Sequence, residues 1–385
     1  MSKKLVSLFS GIGGLEFGFC ERGDAPLLFC ENDGAAQVVL RAHFPEVPIA
    51  SDVKLLKKIP PCDILLAGFP CQDLSQAGRK VGIGGIRSGL VEHLFRIISS
   101  ARPKPKWLVV ENVPYMLSLD SGRAMSYLIS QLDELGYLWA YRVVDARAFG
   151  TPQRRPRILL IASRTEDPRG VLFTGSSNPG DLDGKPSGID GKSWYGFYWT
   201  EGSRGVGWVK EGVPPIKGGS TIGIASPPAV WIPRKNFVGT INLRDAERLQ
   251  GFSPDWTLSV EQTEGLKRNA RWRLIGNAVN ARISRWLADR ISRSVEYKEE
   301  SSAALDGSRW PKAAWGRKGK AYGVTISAWP EIVPPPKLRS FLEEPLDPLS
   351  ARATLGFLKR ARACTNIVYS ETFLRSLQLH ADRMS

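Results

Sequence analysis

Lys4-Leu5-Val6-Ser7-Leu8-Phe9-Ser10-Gly11-Ile12-Gly13-Gly14 is the stretch from which the rest of the chain can be ordered. Lys4 to Phe9 reads as a short apolar strand, Gly11 to Gly14 as a turn, and Leu15 to Glu21 as a helix. A strand, a glycine turn and a helix in that order open an alternating α/β unit. The alternation continues. Ala25 to Cys30 reads as a second strand ending in Glu31, and Asp33 is placed to cap a helix through His43. Further strands fit Asp63 to Ala67, Trp107 to Val110, Tyr141 to Val144 and Arg157 to Ala162, with helices over Leu90 to Ser100 and Ala124 to Leu135. The expected fold class is therefore α/β, a mostly parallel sheet with helices on both faces.

Ligands bind such sheets at the carboxyl ends of the strands. That rule gives four stretches one address: Ser10 to Gly14, Glu31, Pro70-Cys71 and Glu111-Asn112-Val113. The glycine turn alone says little. It lacks the Lys-Ser or Lys-Thr of a P-loop and departs from the GxGxxG dinucleotide fingerprint. Glu31 is more informative, because a carboxylate ending the second strand can accept both hydroxyls of an adenosine ribose. A nucleoside-containing cofactor is favoured over a purely structural turn.

Composition bounds the rest. At 385 residues, 42% hydrophobic and 24% charged, the chain suits a soluble globular protein of two or three domains. No signal-peptide pattern and no apolar run near the roughly 20 residues that span a bilayer stand out, so the expectation is a cytoplasmic protein with no membrane partner. The net charge of +15 favours a polyanionic partner. The five cysteines, Cys20, Cys30, Cys62, Cys71 and Cys364, are odd in number and scattered. With only three histidines, no metal site is expected. Filler and nucleophile remain as readings of Cys71.

Composition shifts near residue 165. Of 38 glycines, 14 fall between Gly170 and Gly223, among the aromatics Trp194-Tyr195-Gly196-Phe197-Tyr198-Trp199, as in a loop-built recognition surface. Regular structure resumes with a short helix at Leu243 to Leu249, stopped by Gly251. Arg273 to Val279 then leads into an amphipathic helix, Ile283 to Ile291. Beyond Tyr297 the pattern degrades, apart from a helix near Ala351 to Ala363.

Six blocks now stand in one order: LFSGIGG (8–14), GFPCQDLSQAG (68–78), ENV (111–113), QRRPR (153–157), RDAERLQGF (244–252) and GNAV (276–279). In type, order and rough spacing they resemble the DNA (cytosine-5)-methyltransferases of bacterial restriction-modification systems. Each block alone is weak; six in order are specific. The resemblance implies a Rossmann-like S-adenosylmethionine-dependent fold plus a small, irregular, loop-rich β target-recognition domain. It implies a catalytic domain at 1–164 completed by 276–296, and a recognition domain at 165–275. Residues 297–385 then form a C-terminal extension of unknown role.

The resemblance also implies roles. Cys71 would be the nucleophile that adds to cytosine C6, since a thiolate is strongly nucleophilic. Glu111 would serve N3 of the base, with Asn112 holding the loop, and Arg157 supported by Arg155 would stabilise charge on O2. The methyl donor would be S-adenosylmethionine. Phe9, Gly11, Gly13 and Gly14 would wrap it, Glu31 would take the ribose, Asp52 and Val53 the adenine, and Pro70, Leu90, Asn277 and Ala278 would complete the pocket. Double-stranded DNA would be the substrate, met by Ser75, Gln76, Arg79, Arg87 and Thr221, with the target base flipped out. A monomer is expected, with a cognate restriction endonuclease acting on the same site and not necessarily touching the protein.

Two positions depart from the family pattern: Leu74 where Phe is common, and Asn32 where an aromatic often stacks on adenine. Three competing readings fit less well. A binding-only homologue would be expected to lack Cys71 or Glu111. A tRNA methylase fits the long glycine-rich segment less well. A nicotinamide enzyme has no need of PCQ, ENV and QRRPR together.

Overall fold

The computed structural model describes residues 2–70, 89–180, 188–201, 205–218, 225–293, 295–298, 302–306 and 309–385. The chain forms two compact units. Unit 1 comprises Met1–Ala148, Pro156–Asn178 and Ala278–Ile332; unit 2 comprises Phe149–Arg155, Pro179–Asn277 and Val333–Ser385.

Unit 1 is built on one large sheet. Its first strands are β1 (Lys4–Leu8), β2 (Ala25–Cys30), β3 (Ile49–Ala50), β4 (Ile64–Ala67), β5 (Trp107–Asn112), β6 (Leu138–Asp145) and β7 (Pro156–Ser163). They lie in the order β3-β2-β1-β4-β5-β7-β6. The five from β3 to β5 are parallel. β7 is antiparallel to both its neighbours, so β6 again shares the direction of β5. This is the expected mostly parallel α/β sheet, with a reversed strand inserted. β4 is buried at all four positions, Ile-Leu-Leu-Ala, which is the continuous apolar run of a strand covered on both faces.

The covering helices bury the stripes their sequence spacing provides. They include α1 (Phe17–Glu21), α2 (Gly34–His43), α3 (Leu90–Ser100), α4 (Arg123–Glu134) and α5 (Ala281–Ser292). α3 buries Val91, Leu94, Phe95, Ile97 and Ile98, and α4 buries Ala124, Met125, Leu128, Ile129 and Leu132. Asp33 caps α2 by accepting from the Ala35 amide. α5 packs on α1 almost backbone to backbone. A Cβ on Gly18 would sit 2.2 Å from the Arg285 nitrogen, and the Ser284 hydroxyl accepts from the Gly18 amide at 2.9 Å.

The sheet does not end at β6. Strands Ala313–Arg317, Lys320–Gly323 and Ala303–Ala304 extend it in that order, the first pairing antiparallel with β6. Part of the region after residue 297 is therefore structural to unit 1. No helix among the described residues is long and apolar enough to cross a membrane.

Unit 2 carries a five-stranded sheet, with Asp347–Pro348, Phe237–Thr240, Ala229–Ile232, Tyr195–Phe197 and Val209–Lys210 in that order, antiparallel throughout. Helices Ala351–Arg362 and Glu371–Arg383 share a core with Tyr195, Phe197 and Trp231. The RDAERLQGF block is an internal brace. Fully buried Glu247 accepts from the amides of Asp255 and Thr257, and Arg271 lies 3.0 Å away.

Candidate active site

The turn after β1 uses backbone that few residues adopt. Phe9 has φ 60°, Gly11 55° and Gly13 86°. A non-glycine residue held there marks a backbone over-determined by its surroundings. The turn is tied to β2 and to itself, from the Ser10 amide to the Cys30 carbonyl at 3.2 Å and from the Gly13 amide to the Ser10 carbonyl at 3.0 Å. A Cβ on Gly13 would strike the Phe44 ring at 2.7 Å, whereas one on Gly11 would meet nothing within 4 Å among the described residues. The space before Gly11 is open, and Gly14 is buried behind it.

Glu31 follows the last residue of β2 and faces this turn. Its Oε2 accepts the Gly11 amide at 2.7 Å and its Oε1 the Asp33 amide at 2.8 Å. Burial raises its pKa, opposed by those two bonds. Each carboxylate oxygen retains a further lone pair. Asp52 follows β3 and accepts the Lys54 amide at 2.8 Å. Val53 is buried, and Leu90 is the first residue of α3.

β4 and β5 deliver the second half of the edge. The Gly68 amide reaches the Leu8 carbonyl, and the Phe69 ring meets Phe9 edge-on at 6.2 Å. Asn112 donates from Nδ2 to the Phe69 carbonyl at 2.9 Å and accepts the Val113 amide. Asn112 thus fixes the backbone two residues before Cys71, with exposed Pro70 between. Glu111 is 8% exposed. Its Oε1 lies 2.9 Å from Arg157 Nε. Because β7 is antiparallel to β5, its opening residues lie at the same edge as the carboxyl end of β5, and Glu111 pairs in register with Leu159.

Arg155 belongs to unit 2, where its buried guanidinium donates to the carbonyls of Gly276 at 2.9 Å and Ile216 at 3.3 Å. Asn277 closes a helix of unit 2, Asn269–Asn277, while Ala278 is the first residue of the chain's return to unit 1. Cys71, Ser75, Gln76, Arg79, Arg87 and Thr221 lie outside the described residues.

Two findings were not anticipated. Burial pushes the thiols of Cys20, Cys30 and Cys62 up to about 12, so none of these is a ready nucleophile at neutral pH. Directly beneath the glycine turn, Glu16 is fully buried. Ser7 Oγ donates to its Oε1, its Oε2 has no hydrogen-bond partner among the described residues, and burial raises its pKa to about 7. A signal existed, since a carboxylate stands alone in the apolar run Leu15-Glu16-Phe17-Gly18-Phe19.

Parallel strands that bring a carboxylate at a glycine turn and a separate acid–arginine pair to their carboxyl edge follow the architecture of a doubly wound α/β protein, which binds its ligands at that edge. The family model described as C-5 cytosine-specific DNA methylase matches residues 3–179. Over 383 residues, 99% of this chain and 98% of the relative, the sequence is 54% identical to the Type II methyltransferase M2.BsuMI of Bacillus subtilis (strain 168). It is 28% identical over 324 residues to the Type II methyltransferase M.DsaV of Dactylococcopsis salina, spanning 77% of this chain and 88% of that one. The crystal structure of S. pombe Dnmt2 methyltransferase superposes with a TM-score of 0.55 at 14% identity over 75% of this chain and 98% of that one, a likeness of fold. The chain belongs to the C-5 cytosine-specific DNA methylase family and is a DNA cytosine-5 methyltransferase.

Proposed function

We propose that the protein methylates C5 of one cytosine within a short target in double-stranded DNA, as the modification enzyme of a restriction-modification system. The reaction runs through a covalent Cys71–C6 adduct on a flipped-out base. The observation that carries this reading is the buried Glu111–Arg157 pair, at the edge where Asn112 fixes the backbone leading to Cys71.

C5 of cytosine is a poor nucleophile until sulfur adds at C6. The Cys71 thiolate forms the S–C6 bond, and the displaced electron density runs to N3 and O2. Glu111 meets N3 with a proton, and Arg157 meets O2 with its guanidinium. In the absence of a base, Arg157 and Glu111 neutralise each other. As the base enters, Arg157 exchanges part of that partnership for O2, which leaves Glu111 easier to protonate. After methyl transfer, loss of the C5 proton re-forms the C5=C6 bond and releases the thiolate of Cys71.

The residues at the glycine turn fit S-adenosylmethionine. Open space stands before Gly11, and the Glu31 carboxylate has acceptor capacity for two ribose hydroxyls. Bound there, S-adenosylmethionine supplies an electrophilic methyl on a sulfonium. Phe9, Gly13 and Gly14 would line its methionine end, Asp52 and Val53 its adenine, and Pro70, Leu90 and Ala278 the remaining wall.

The test is incubation of the protein and Cys71→Ser with S-adenosylmethionine and unmethylated genomic DNA, followed by base-resolution mapping of 5-methylcytosine. Methylation of one short motif by the wild type alone is the expected result. Equal marking by the variant would remove Cys71 from the reaction.

A further inference from the structure

Helix Ala351–Arg362 reads Ala-Arg-Ala-Thr-Leu-Gly-Phe-Leu-Lys-Arg-Ala-Arg, with four basic residues and no acidic one. Its inner face is settled: Thr354, Phe357, Leu358 and Ala361 are buried, and the Phe197 and Phe357 rings lie 5.3 Å apart. The opposite face carries Arg352, Lys359 and Arg362, all exposed. At 100° per residue, Arg352, Gly356 and Lys359 fall within about 60° of one another, with Arg362 to one side. None of the three cations pairs with a carboxylate among the described residues. The neighbouring Arg360 is already engaged, donating to the carbonyls of Trp199 and Glu201 at the end of the recognition strand Tyr195–Phe197.

Gly356 is the second observation. Glycine is the worst helix-interior residue after proline. Among the described residues nothing requires it here. A Cβ would meet only Arg360 Nη1, at an ordinary 3.6 Å. A position that lacks a side chain without internal cause, outward-facing and flanked by Arg352, suits close approach of a backbone from outside.

We propose that this helix lies against the phosphate backbone of duplex DNA, with Arg352, Lys359 and Arg362 each neutralising a phosphate and Gly356 admitting the strand. The proposal rests on duplex DNA being the substrate. The face supplies sequence-independent affinity and register, since phosphate contacts position and do not specify. It gives the C-terminal part of unit 2 a role as a clamp on DNA flanking the target.

Fluorescence anisotropy on a mixed-sequence 40-bp duplex across a salt series tests it. Each phosphate contact contributes roughly 0.9 to the slope of log K against log salt, so Arg352→Gln/Lys359→Gln/Arg362→Gln should flatten the slope by two to three. Lys359→Gln alone should flatten it by about one, which keeps the test usable if the triple variant is unstable. Gly356→Leu should weaken binding several-fold without lowering the melting temperature. Arg102→Gln/Lys104→Gln, at the amino end of β5, should leave the slope unchanged. Methylation at saturating DNA should stay within about twofold of wild type.

Slopes and affinities equal to wild type in both helix variants would overturn the proposal and leave the methyltransferase assignment standing. So would a wild-type dimer, seen by light scattering, that the triple variant converts to monomer at unchanged slope, because the face would then belong to a second copy. Loss of binding to an RNA duplex alone would overturn it too. Failure of the wild type to bind the DNA duplex at all would remove the duplex substrate and the helix role together.

Discussion

Arg157 Nε stands 2.9 Å from Glu111 Oε1, and each side chain is only about one-tenth exposed. A buried pair of this kind is a poor investment in stability, because desolvation offsets most of the attraction. It suits an enzyme whose reaction needs the same two groups to separate. Glu111→Gln should lower kcat by roughly 10²–10⁴ with little change in DNA affinity. Arg157→Lys keeps the charge and loses the planar fork, so it should also cost activity. Single-turnover methylation measures both. A Glu111→Gln enzyme with wild-type kcat would end the proposed role at N3.

Glu31 joins two functions in one carboxylate. It holds the turn through the amides of Gly11 and Asp33 and is the proposed ribose acceptor. Glu31→Gln removes charge-assisted acceptors worth roughly 1.5–3 kcal/mol each, so Kd for S-adenosylmethionine should rise at least about tenfold. Titration calorimetry without DNA reads this directly. An unchanged Kd would confine Glu31 to bracing the turn.

Glu16 makes stability depend on pH. Its folded pKa of about 7 lies above the ordinary 4.5. The fold therefore keeps its full stability below about pH 4.5 with respect to this group, and loses it as pH rises through 7. The shift of about 2.5 units corresponds to on the order of 3 kcal/mol. Glu16→Gln should be more stable than wild type at pH 8, and the two should converge toward pH 4.5. Urea melts at several pH values decide it. Parallel curves for the two proteins would show that Glu16 does not carry the dependence.

Gly18 is the tightest point between α1 and α5. With its Cβ 2.2 Å from the Arg285 backbone nitrogen, Gly18→Ala must push the two helices apart. Overpacking of this sort costs about 1–3 kcal/mol, and backbone leaves little room to relax. The urea midpoint should fall accordingly. A midpoint equal to wild type would mean that α5 can slide without penalty.

Much of unit 1 was legible because its signals are local. Ile64-Leu65-Leu66-Ala67 is a buried apolar run, and α3 and α4 show their stripes plainly. The reversed direction of β7 was not legible, since strand polarity is set by pairing and not by the strand's own residues. The strands after residue 300 were missed for a different reason. Ala313–Arg317 and Lys320–Gly323 are short and carry Gly, Arg and Lys. They are joined by Lys318-Gly319 at φ 52° and 77°, a tight two-residue hairpin turn in which a lysine replaces the usual Asn or Asp. At the site, the motif residues were readable as types. Their partners were not: nothing local says that Asn112 holds Phe69, or that Ser7 serves Glu16.

Trp231, in the middle strand of the five-stranded sheet of unit 2, donates its indole proton to Ser376, 145 residues further along the chain. A ribosome adding about 5–20 residues each second needs roughly 7–30 seconds to cover that interval. Through most of it, until Ala351 is reached, the nascent sheet with Tyr195, Phe197 and Trp231 stands without the helices that complete its core. The core of unit 2 is therefore completed late in synthesis, well after the parallel strands of unit 1 have emerged. A message broken between the codons for Val279 and Ser376 would yield a polypeptide with all six motif blocks and an unfinished core in unit 2.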